Sequence, residues 1–535
     1  MRSSQSFVKG AIILTVAAAV SRALGAIYSI ILPRVIGPDG FGLFQMAYPV
    51  YNIIFFLAAG GLNVAISKLV AEKLTLGDRW GALRVFRTSL FVLALLGLVS
   101  SLGLYLGANF VAVEIMGDPL AAPSIAAISP AIFFVAVMAA FRGFFQGMQR
   151  MEPTAQSQVL EQIMRVSTMF VLAYLLLPRG VEMAAAGAAF GAVTGAVAGL
   201  FFLIFLFARE RVRWRRTAPR SRRGSGEDLM ELVKRLAALA IPISLAGIIL
   251  PIIQFADAAI VPSQLQVAGH PVEEARALFG FLAMGFKVVF MPTIVTAALS
   301  MSLVPAVSEA NALGHMSIVR SRSMAGLRLT FLFALPAVVG LYLLADDIAT
   351  LLWPQFPEAG GPIAWLSAGL LFISVQQTSS GILQGLGRPV IPARNLFIGA
   401  LVKVLLTLVL VPRPAFGAMG AALATVLGFL VASSLNVASL HLLVGLRPNL
   451  GLLVVKPAVA IATMGVAVRL IQSSFTGFPL PHEVVTLAAV FGGAVVYGLT
   501  LLLVGGLTVQ DLHLIPRIGP RVAAILERAG LVSRD

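Results

Sequence analysis

The chain has 535 residues, of which 59% are hydrophobic and only 12% are charged, and its formal net charge is +16. This composition excludes an ordinary set of water-soluble domains, which carry about 25% charged residues. The absence of cysteine excludes disulfides and thiolate metal sites, and the five histidines are scattered along the chain. We therefore expect no metal and no other cofactor.

Apolar runs of 18 or more residues recur along the whole chain. As a helix, each can cross the hydrocarbon core of a bilayer, which is about 30 Å thick. They predict an all-α polytopic membrane protein with about 14 transmembrane helices. The first run continues well past the length of a signal peptide, so we interpret it as an uncleaved helix. The predicted spans lie near residues 7–33, 41–67, 88–112, 120–141, 155–178, 182–208, 236–262, 276–307, 326–345, 361–386, 393–412, 416–443, 452–472 and 484–506.

Lysine and arginine are distributed unevenly between the two sets of loops. When the spans alternate sides, 30 of the 39 fall on the side that holds both termini and only five on the opposite side. This is the positive-inside pattern, so both termini are predicted to be cytoplasmic in a multi-pass protein of the cell membrane. The surplus positive charge then faces anionic lipid and is no evidence for nucleic-acid binding. The five cations of the opposite side are Arg34, Arg179, Arg276, Arg413 and Arg469.

Two parts of the chain resemble each other. The segment RGFFQGMQRMEPTAQ, which begins at Arg142, matches SGILQGLGRPVIPAR, which begins at Ser380, with shared Gly, Gln, Gly and Arg residues 238 positions apart. An even number of spans in each copy makes this a parallel repeat. Two six-helix repeats are therefore predicted to form two lobes around a central cavity.

The repeat predicts five regions. The linker between the copies is rich in arginine and is expected to contact anionic headgroups. The tail contains LIPRIGP, which is more simply an interfacial helix than a DNA-binding helix-hairpin-helix. The regions are an N-terminal lobe (1–208), a basic cytoplasmic linker (209–235), a C-terminal lobe (236–445), two additional helices (446–506) and an amphipathic cytoplasmic tail (507–535).

Two cations in the predicted spans point to a ligand. Arg22 lies about fifteen residues into the first helix, roughly 20 Å deep, which is too far for easy snorkelling. An arginine at mid-membrane costs about 2.5–3.5 kcal/mol, so it needs a partner or an anionic ligand. Arg22 and Lys287, one in each lobe, could together clamp a phosphate. The alternative is that either one pairs with Asp257 and only staples helices together.

Further polar residues in the spans have both a structural and a functional interpretation. Glu161 and Arg165 stand four residues apart on one helix and are predicted to meet on one face, which favours a structural ion pair over substrate contact. Lys403 matches Arg165 at the repeat offset, but Gly399 replaces the glutamate, so Lys403 is predicted to be unpaired and to snorkel. The remaining candidates for lining a cavity, each explained equally well by interhelical hydrogen bonds, are Asn52, Gln254, Gln376 and Gln377.

Several catalytic motifs are absent from the sequence. There is no G-x-x-x-x-G-K-[ST] loop, and neither H-E-x-x-H nor G-x-S-x-G occurs, so a P-loop pump or a membrane enzyme is not favoured. A drug or cation antiporter would favour carboxylates and aromatics in its cavity, whereas cations outnumber acids at depth here. A membrane glycosyl or acyl transferase would show clustered Asp, His or Glu at one membrane face, and none is evident.

Three blocks carry a family resemblance: SRALGAIYSIILPRVIGPDGFGLFQMAYPVY from Ser21, GGLNVAISKLVAE from Gly60, and RGFFQGMQRMEPTAQSQVLEQIMRV from Arg142. They resemble the stage V sporulation protein B branch of the multidrug/oligosaccharidyl-lipid/polysaccharide (MOP) exporter superfamily. That branch is similar to the MurJ-type lipid II flippases and, more distantly, to the MATE drug exporters. The resemblance covers nearly the whole chain.

The resemblance implies a fourteen-helix, two-lobed transporter that works by alternating access. In such flippases, cations of the cavity bind the pyrophosphate of an undecaprenyl-linked sugar, and the last two helices form a groove for the lipid tail. Arg22 matches the basic position of the first helix, and Lys287 falls where the eighth helix carries a cation. The MurJ-type flippases also carry an arginine in the second helix, where this chain has Gln45 and Asn52.

We therefore expect a flippase, not an enzyme, that moves lipid II or a related undecaprenyl-pyrophosphate sugar from the inner to the outer leaflet. The expected partners are this lipid-linked sugar and anionic membrane lipids, and the expected oligomeric state is a monomer. The sequence leaves the driving force and any coupling ion open. A precursor of the spore cortex or of another exported polysaccharide, and a MATE-like antiport of cations or drugs, remain alternatives.

Overall fold

The computed structural model describes residues 2–217, 228–446, 455–474 and 481–505, and its regular elements there are all helices. The linker residues 218–227 and the tail 507–535, for which the sequence predicts an interfacial role, lie outside the described residues. The α-helices are α1 (Arg2–Ala59), α2 (Leu62–Thr75), α3 (Arg79–Phe110), α4 (Ala122–Ile128), α5 (Pro130–Gly147), α6 (Glu152–Leu176), α7 (Val181–Thr217), α8 (Leu229–Gly247), α9 (Ile249–Val267), α10 (Val272–Phe290), α11 (Thr293–Ala312), α12 (Met316–Leu343), α13 (Ala345–Leu352), α14 (Gly360–Gly385), α15 (Val390–Leu410), α16 (Gly417–Val444), α17 (Lys456–Ser474) and α18 (His482–Leu503).

Helix α1 is broken at Gly37, whose φ of 71° lies outside the helical region. Among the described residues, 12 helices are long and apolar enough to cross a membrane, or up to 13 if the bent pair α8 and α9 forms one span. The chain is thus an all-helical polytopic membrane protein. The count is below the fourteen spans that the sequence predicts, and it treats the whole stretch Val16–Thr75 as a single candidate.

The backbone repeats its turns at the offset seen in the sequence. Three pairs of positive-φ residues, which stand 237 or 238 positions apart, are Gly77 with Gly314, Gln149 with Gly387, and Gly180 with Gly417. They lie in equivalent turns: Gly77 follows α2 and Gly314 follows α11, for example. The two copies therefore share one succession of helices and turns.

Glycines allow equivalent helices to approach closely in each copy. A β-carbon on Gly147 of α5 would lie 2.7 Å from the carbonyl oxygen of Ser67 in α2. A β-carbon on Gly385 of α14 would lie 2.8 Å from the carbonyl oxygen of Val304 in α11. Val304 follows Ser67 by 237 residues, which is the repeat offset. The same close crossing of two helices at a glycine therefore occurs in both copies.

The chain divides into two compact units, Met1–Gly280 and Phe281–Asp535, and their boundary falls within α10. The first unit has a core of buried side chains from α2, α3, α5, α7 and α8, in which the ring of Phe86 packs against those of Phe141, Phe144 and Phe207. The second has a core formed by α11, α12, α14 and α16. The lobe boundaries expected from the sequence stay a prediction.

The two helices outside the repeat are held on the second unit. Helices α17 and α18 pack against each other and against α12. The hydroxyl of Tyr497 in α18 donates a hydrogen bond of 2.7 Å to the carbonyl oxygen of Leu332 in α12. Gln472 Nε2 of α17 donates to Asp347 Oδ2 of α13 at 2.6 Å. Polar contacts therefore fix this helix pair at two heights.

We predict that Gly147→Ala lowers the free energy of unfolding by about 1–3 kcal/mol, because the added methyl group meets a backbone oxygen that cannot rotate away. Thermal unfolding in detergent micelles measures this change. Gly103→Ala in α3 is the matched control, since a β-carbon there has open space within 4 Å. Equal melting temperatures for the two variants would contradict the close helix crossing.

Candidate functional site

The two cations proposed from the sequence as a phosphate clamp lie in α1 and α10. Arg22 falls in the first half of α1, and its side chain lies outside the described residues. Lys287 is partly buried near the end of α10. Within the part of the chain that the structure describes, no carboxylate lies within ion-pair distance of Lys287. Among the described residues, its ammonium group therefore has no carboxylate partner that would give it a purely structural role.

A buried ion cluster joins α5 and α6 in the first unit. Glu161 Oε1 accepts a hydrogen bond from Arg165 Nη2 at 2.6 Å, and Glu161 Oε2 accepts one from Arg142 Nη2 at 2.8 Å. The exposed fractions of these three side chains are only 13–16%. Arg142 Nε also donates to Ser157 Oγ at 3.1 Å. One carboxylate thus balances one of two guanidinium charges, and the cluster keeps a formal charge of +1.

The sequence predicted the contact between Glu161 and Arg165 but missed the third member. Arg142 directly follows the predicted span 120–141, so the sequence assigns it to a cytoplasmic loop, whereas in the structure it lies within α5, five residues before that helix ends. The structure instead turns its side chain to Glu161, nine residues into α6 and about 13 Å from the start of that helix. The arginine side chain is long enough to reach from the end of α5 to Glu161. In the sequence, Ser157, which stands one turn before Glu161, indicates a polar face on α6.

Aromatic side chains of α1 lie near the ion cluster. The side chains of Tyr28, Tyr48 and Tyr51 lie near the guanidinium group of Arg165. The rings form a stripe along α1 because they recur every three or four residues, which places them on one helix face. The successive ring contacts are Phe41 with Phe44, Phe44 with Tyr48, Tyr48 with Tyr51 and Tyr51 with Phe55, with centroids 4.9–6.3 Å apart.

The repeat places Lys403 of α15 where α6 has Arg165. Lys403 is only 4% exposed, and its Nζ lies 5.7 Å from the ring centroid of Phe286, within range of a cation–π interaction. The expectation of an unpaired, snorkelling lysine is therefore wrong. Gly399, which replaces the glutamate, allows close approach of α16: a β-carbon on Gly428 would lie 2.8 Å from the carbonyl oxygen of Gly399.

The other polar candidates are spread over different elements. Asp257 is partly buried in α9 and does not lack an interaction partner. Gln254, one turn earlier, is exposed, and Asn52 is partly buried in α1. Gln377 Oε1 accepts a hydrogen bond from Thr296 Oγ1 at 2.9 Å, which links α14 to α11. Of the sequence-predicted site residues, Glu161 and Arg165 are brought together by a direct ion pair in the part of the chain that the structure describes.

Metal binding has no support in the described residues. No group of three or more His, Asp or Glu side chains there has the arrangement of a metal site. The one acidic side chain of the ion cluster, Glu161, is already engaged by two arginines. The arrangement is instead suited to holding an anion, because guanidinium and ammonium groups recognise phosphate.

Comparisons with known proteins agree with this helical architecture. The model of a family described as polysaccharide biosynthesis protein matches residues 7–311. Stage V sporulation protein B of Bacillus subtilis is 32% identical over 82% of this chain and 84% of its own length. Lipid II flippase MurJ of Bacillus subtilis is 27% identical over 92% of this chain and 94% of its own. A solved structure of lipid II flippase MurJ in an inward closed conformation covers 91% of this chain and 98% of its own with a TM-score of 0.69 and 15% identity, which shows a common fold.

We predict that Glu161→Gln lowers the free energy of unfolding by about 3–5 kcal/mol, because it leaves two buried guanidinium groups without their counter-charge. Thermal unfolding in detergent measures the loss. Glu72→Gln is the matched control, since the pair between Glu72 and Arg235 is exposed by 40% and 34% and should contribute only about 0–1 kcal/mol. A Glu161→Gln variant as stable as the control would show that the cluster does not hold the helices together.

Proposed function

The chain belongs to the polysaccharide biosynthesis protein family of the MOP exporter superfamily, whose members are transporters and not enzymes, and we propose that it is a flippase for lipid II or a closely related undecaprenyl-pyrophosphate sugar. The cargo would move from the inner to the outer leaflet by alternating access. Its two relatives named above support a lipid-linked sugar, since one of them is a lipid II flippase.

One observation carries the choice of an anionic cargo: among the side chains that the structure describes within the membrane-spanning helices, cations outnumber acids. Arg142 and Arg165 share the single carboxylate of Glu161. Lys287 has no ion-pair partner among the described residues. A pyrophosphate group must leave water to cross the bilayer, and fixed positive charge in a solvated cavity lowers that barrier. A cationic drug would meet repulsion from the same charges.

We assign the residues different roles in this transport. Arg22 and Lys287 would hold the pyrophosphate, one as a bidentate fork and the other as a point charge. Arg165 and Glu161 would support this site from the first unit, with Arg142 completing their charge balance. The polar side chains that would line the path of the sugar are Asn52, Gln254 and Asp257.

The proposed transporter has fourteen spans and two cytoplasmic termini, as the sequence predicts. The stretch Val16–Thr75 contains 60 residues, or about 90 Å of helix, which is three times the thickness of the hydrocarbon core. With α8 and α9 counted as one span, division of this stretch at Gly37 into two passes would raise the number of spans from 13 to fourteen and put both termini on one side. The positive-inside distribution makes that side cytoplasmic. Helices α17 and α18 would hold the prenyl tail beside lobes 1–208 and 236–445.

A second cargo has one observation in its favour. The relative with 32% identity is named for a stage of sporulation, so a lipid-linked precursor used in the spore envelope fits the same pyrophosphate site. The two cargoes share the headgroup chemistry and differ in where the sugar is consumed. We propose a monomer in which the basic linker 209–235 contacts anionic lipid headgroups.

We predict that the wild-type chain restores growth to bacteria depleted of their lipid II flippase, and that Arg22→Ala and Lys287→Ala each lose this ability. Removal of either cation takes away an interaction with the crossing phosphate. Colony formation on depletion, with membrane expression matched by immunoblot, provides the measurement.

Two exposed cations serve as matched controls for this experiment. Arg413→Ala, in the turn after α15, and Lys68→Ala, in α2, remove the same charges outside the proposed site and should complement fully. Failure of the expressed wild type would exclude lipid II as cargo. Full growth with both Arg22→Ala and Lys287→Ala would instead remove the phosphate clamp from the proposal.

A further inference from the structure

The start of α10 docks on the first copy of the repeat through a contact that the transport site does not use. The elements involved are α10 itself, the turn between α3 and α4, and the break in α1 near Gly37. The residues that make this contact all belong to the unit Met1–Gly280. By the loop assignment above, this contact lies on the side opposite the termini, and we call it the outer contact. It consists of Pro38, Gly42, Asp118, Arg276 and Gly280.

An ion pair lies at the centre of the outer contact. Arg276 Nε donates to Asp118 Oδ2 at 2.5 Å, and Arg276 Nη2 donates to Asp118 Oδ1 at 2.9 Å. Only 7% of the arginine side chain and 1% of the aspartate side chain are exposed. Asp118 is itself fixed in place, because its Oδ1 also accepts the backbone N–H of Leu120. Parallel hydrogen bonds of this kind are strong and directional.

The backbones around this ion pair are packed without space for side chains. A β-carbon on Gly42 would lie 2.8 Å from the carbonyl oxygen of Arg276. A β-carbon on Gly280 would clash with the carbonyl oxygen of Pro38. Gln266 Nε2 of α9 adds a hydrogen bond of 3.4 Å to the carbonyl oxygen of Gly117. The outer contact therefore excludes water from Asp118 and Arg276.

A weaker contact on the side of the termini joins two other helices, α8 and α2. Arg235 of α8 pairs with Glu72 of α2 at 2.9 Å, but a third or more of each side chain is exposed. The Ser244 hydroxyl accepts a hydrogen bond from the backbone N–H of Gly61 at 2.9 Å. We call this the inner contact. Separating an exposed ion pair costs little free energy, because water replaces the lost partner at once. Separating a buried ion pair leaves two charges that must first gain access to water.

We propose that the ion pair between Asp118 and Arg276 is a latch that keeps the outer side of the transporter closed. Residues of the first copy hold Asp118, and the second copy supplies Arg276 on the helix that also carries Lys287. Opening of the outer side requires this pair to separate, whereas the inner contact opens without a comparable barrier. The inference rests on the proposed alternating access but not on the identity of the cargo.

The absence of cysteine from the chain allows a direct test with one introduced thiol. Ala275 is fully buried beside Arg276, so Ala275→Cys reports separation of the outer contact. A membrane-impermeant maleimide is added to intact cells and its rate of reaction with this thiol is measured. We expect slow labelling in the otherwise wild-type chain and labelling about tenfold faster or more after Asp118→Asn, which removes the charge but keeps the shape. The exchanged pair Asp118→Arg with Arg276→Asp should return the rate toward the slow value.

Two control variants make the test decisive. Glu72→Gln at the inner contact should leave outside labelling of the Ala275→Cys thiol unchanged. A thiol at the more exposed Val272 should label at one rate in every variant, which separates latch release from general unfolding. An unchanged rate in Asp118→Asn, or labelling only in inside-out vesicles, would overturn the latch. Because no cargo is added, these outcomes are independent of whether complementation of the lipid II flippase succeeds.

Discussion

The cost of burying charge at bilayer depth is the constraint on which the rest of this structure depends. An uncompensated ionised group in hydrocarbon is expensive, so each one must find a partner, water or a ligand. Glu161 meets this requirement for Arg142 and Arg165 together, and in doing so it fixes where α5 and α6 meet. The remaining positive charge is what makes an anionic cargo chemically reasonable for a transporter of the MOP superfamily.

The internal repeat supplies a common scaffold on which the two copies have diverged. Glycines at equivalent positions let α5 cross α2 and α14 cross α11 at the same close distance. Chemistry differs at the equivalent sites on α6 and α15, where Glu161 and Arg165 correspond to Gly399 and Lys403. A carboxylate neutralises the arginine in one copy, while an aromatic ring lies beneath the lysine in the other. The two copies therefore share the same helix packing but differ in the charged residues at equivalent positions.

Paired and unpaired charges have different uses in the proposed transport cycle. The pair between Asp118 and Arg276 is buried and held by two parallel hydrogen bonds, which suits a contact that must stay closed until it is forced apart. Lys287, farther along the same helix, has no ion-pair partner among the described residues and suits a ligand that comes and goes. One helix, α10, therefore carries both Arg276 of the outer contact and Lys287, which we propose to bind the cargo.

The sequence by itself determined the membrane class, the approximate spans, the repeat offset and the pairing of Glu161 with Arg165, because these follow from hydropathy, periodicity and spacing along one chain. It could not place Arg142 beside Glu161, bury Lys403 under α16, or bring Asp118 to Arg276, which stands 158 residues away. Those contacts depend on how separate helices cross, and a crossing is decided by the fit of small residues and buried charges in three dimensions. Local patterns along a chain carry no record of that fit, so only the tertiary structure decided it.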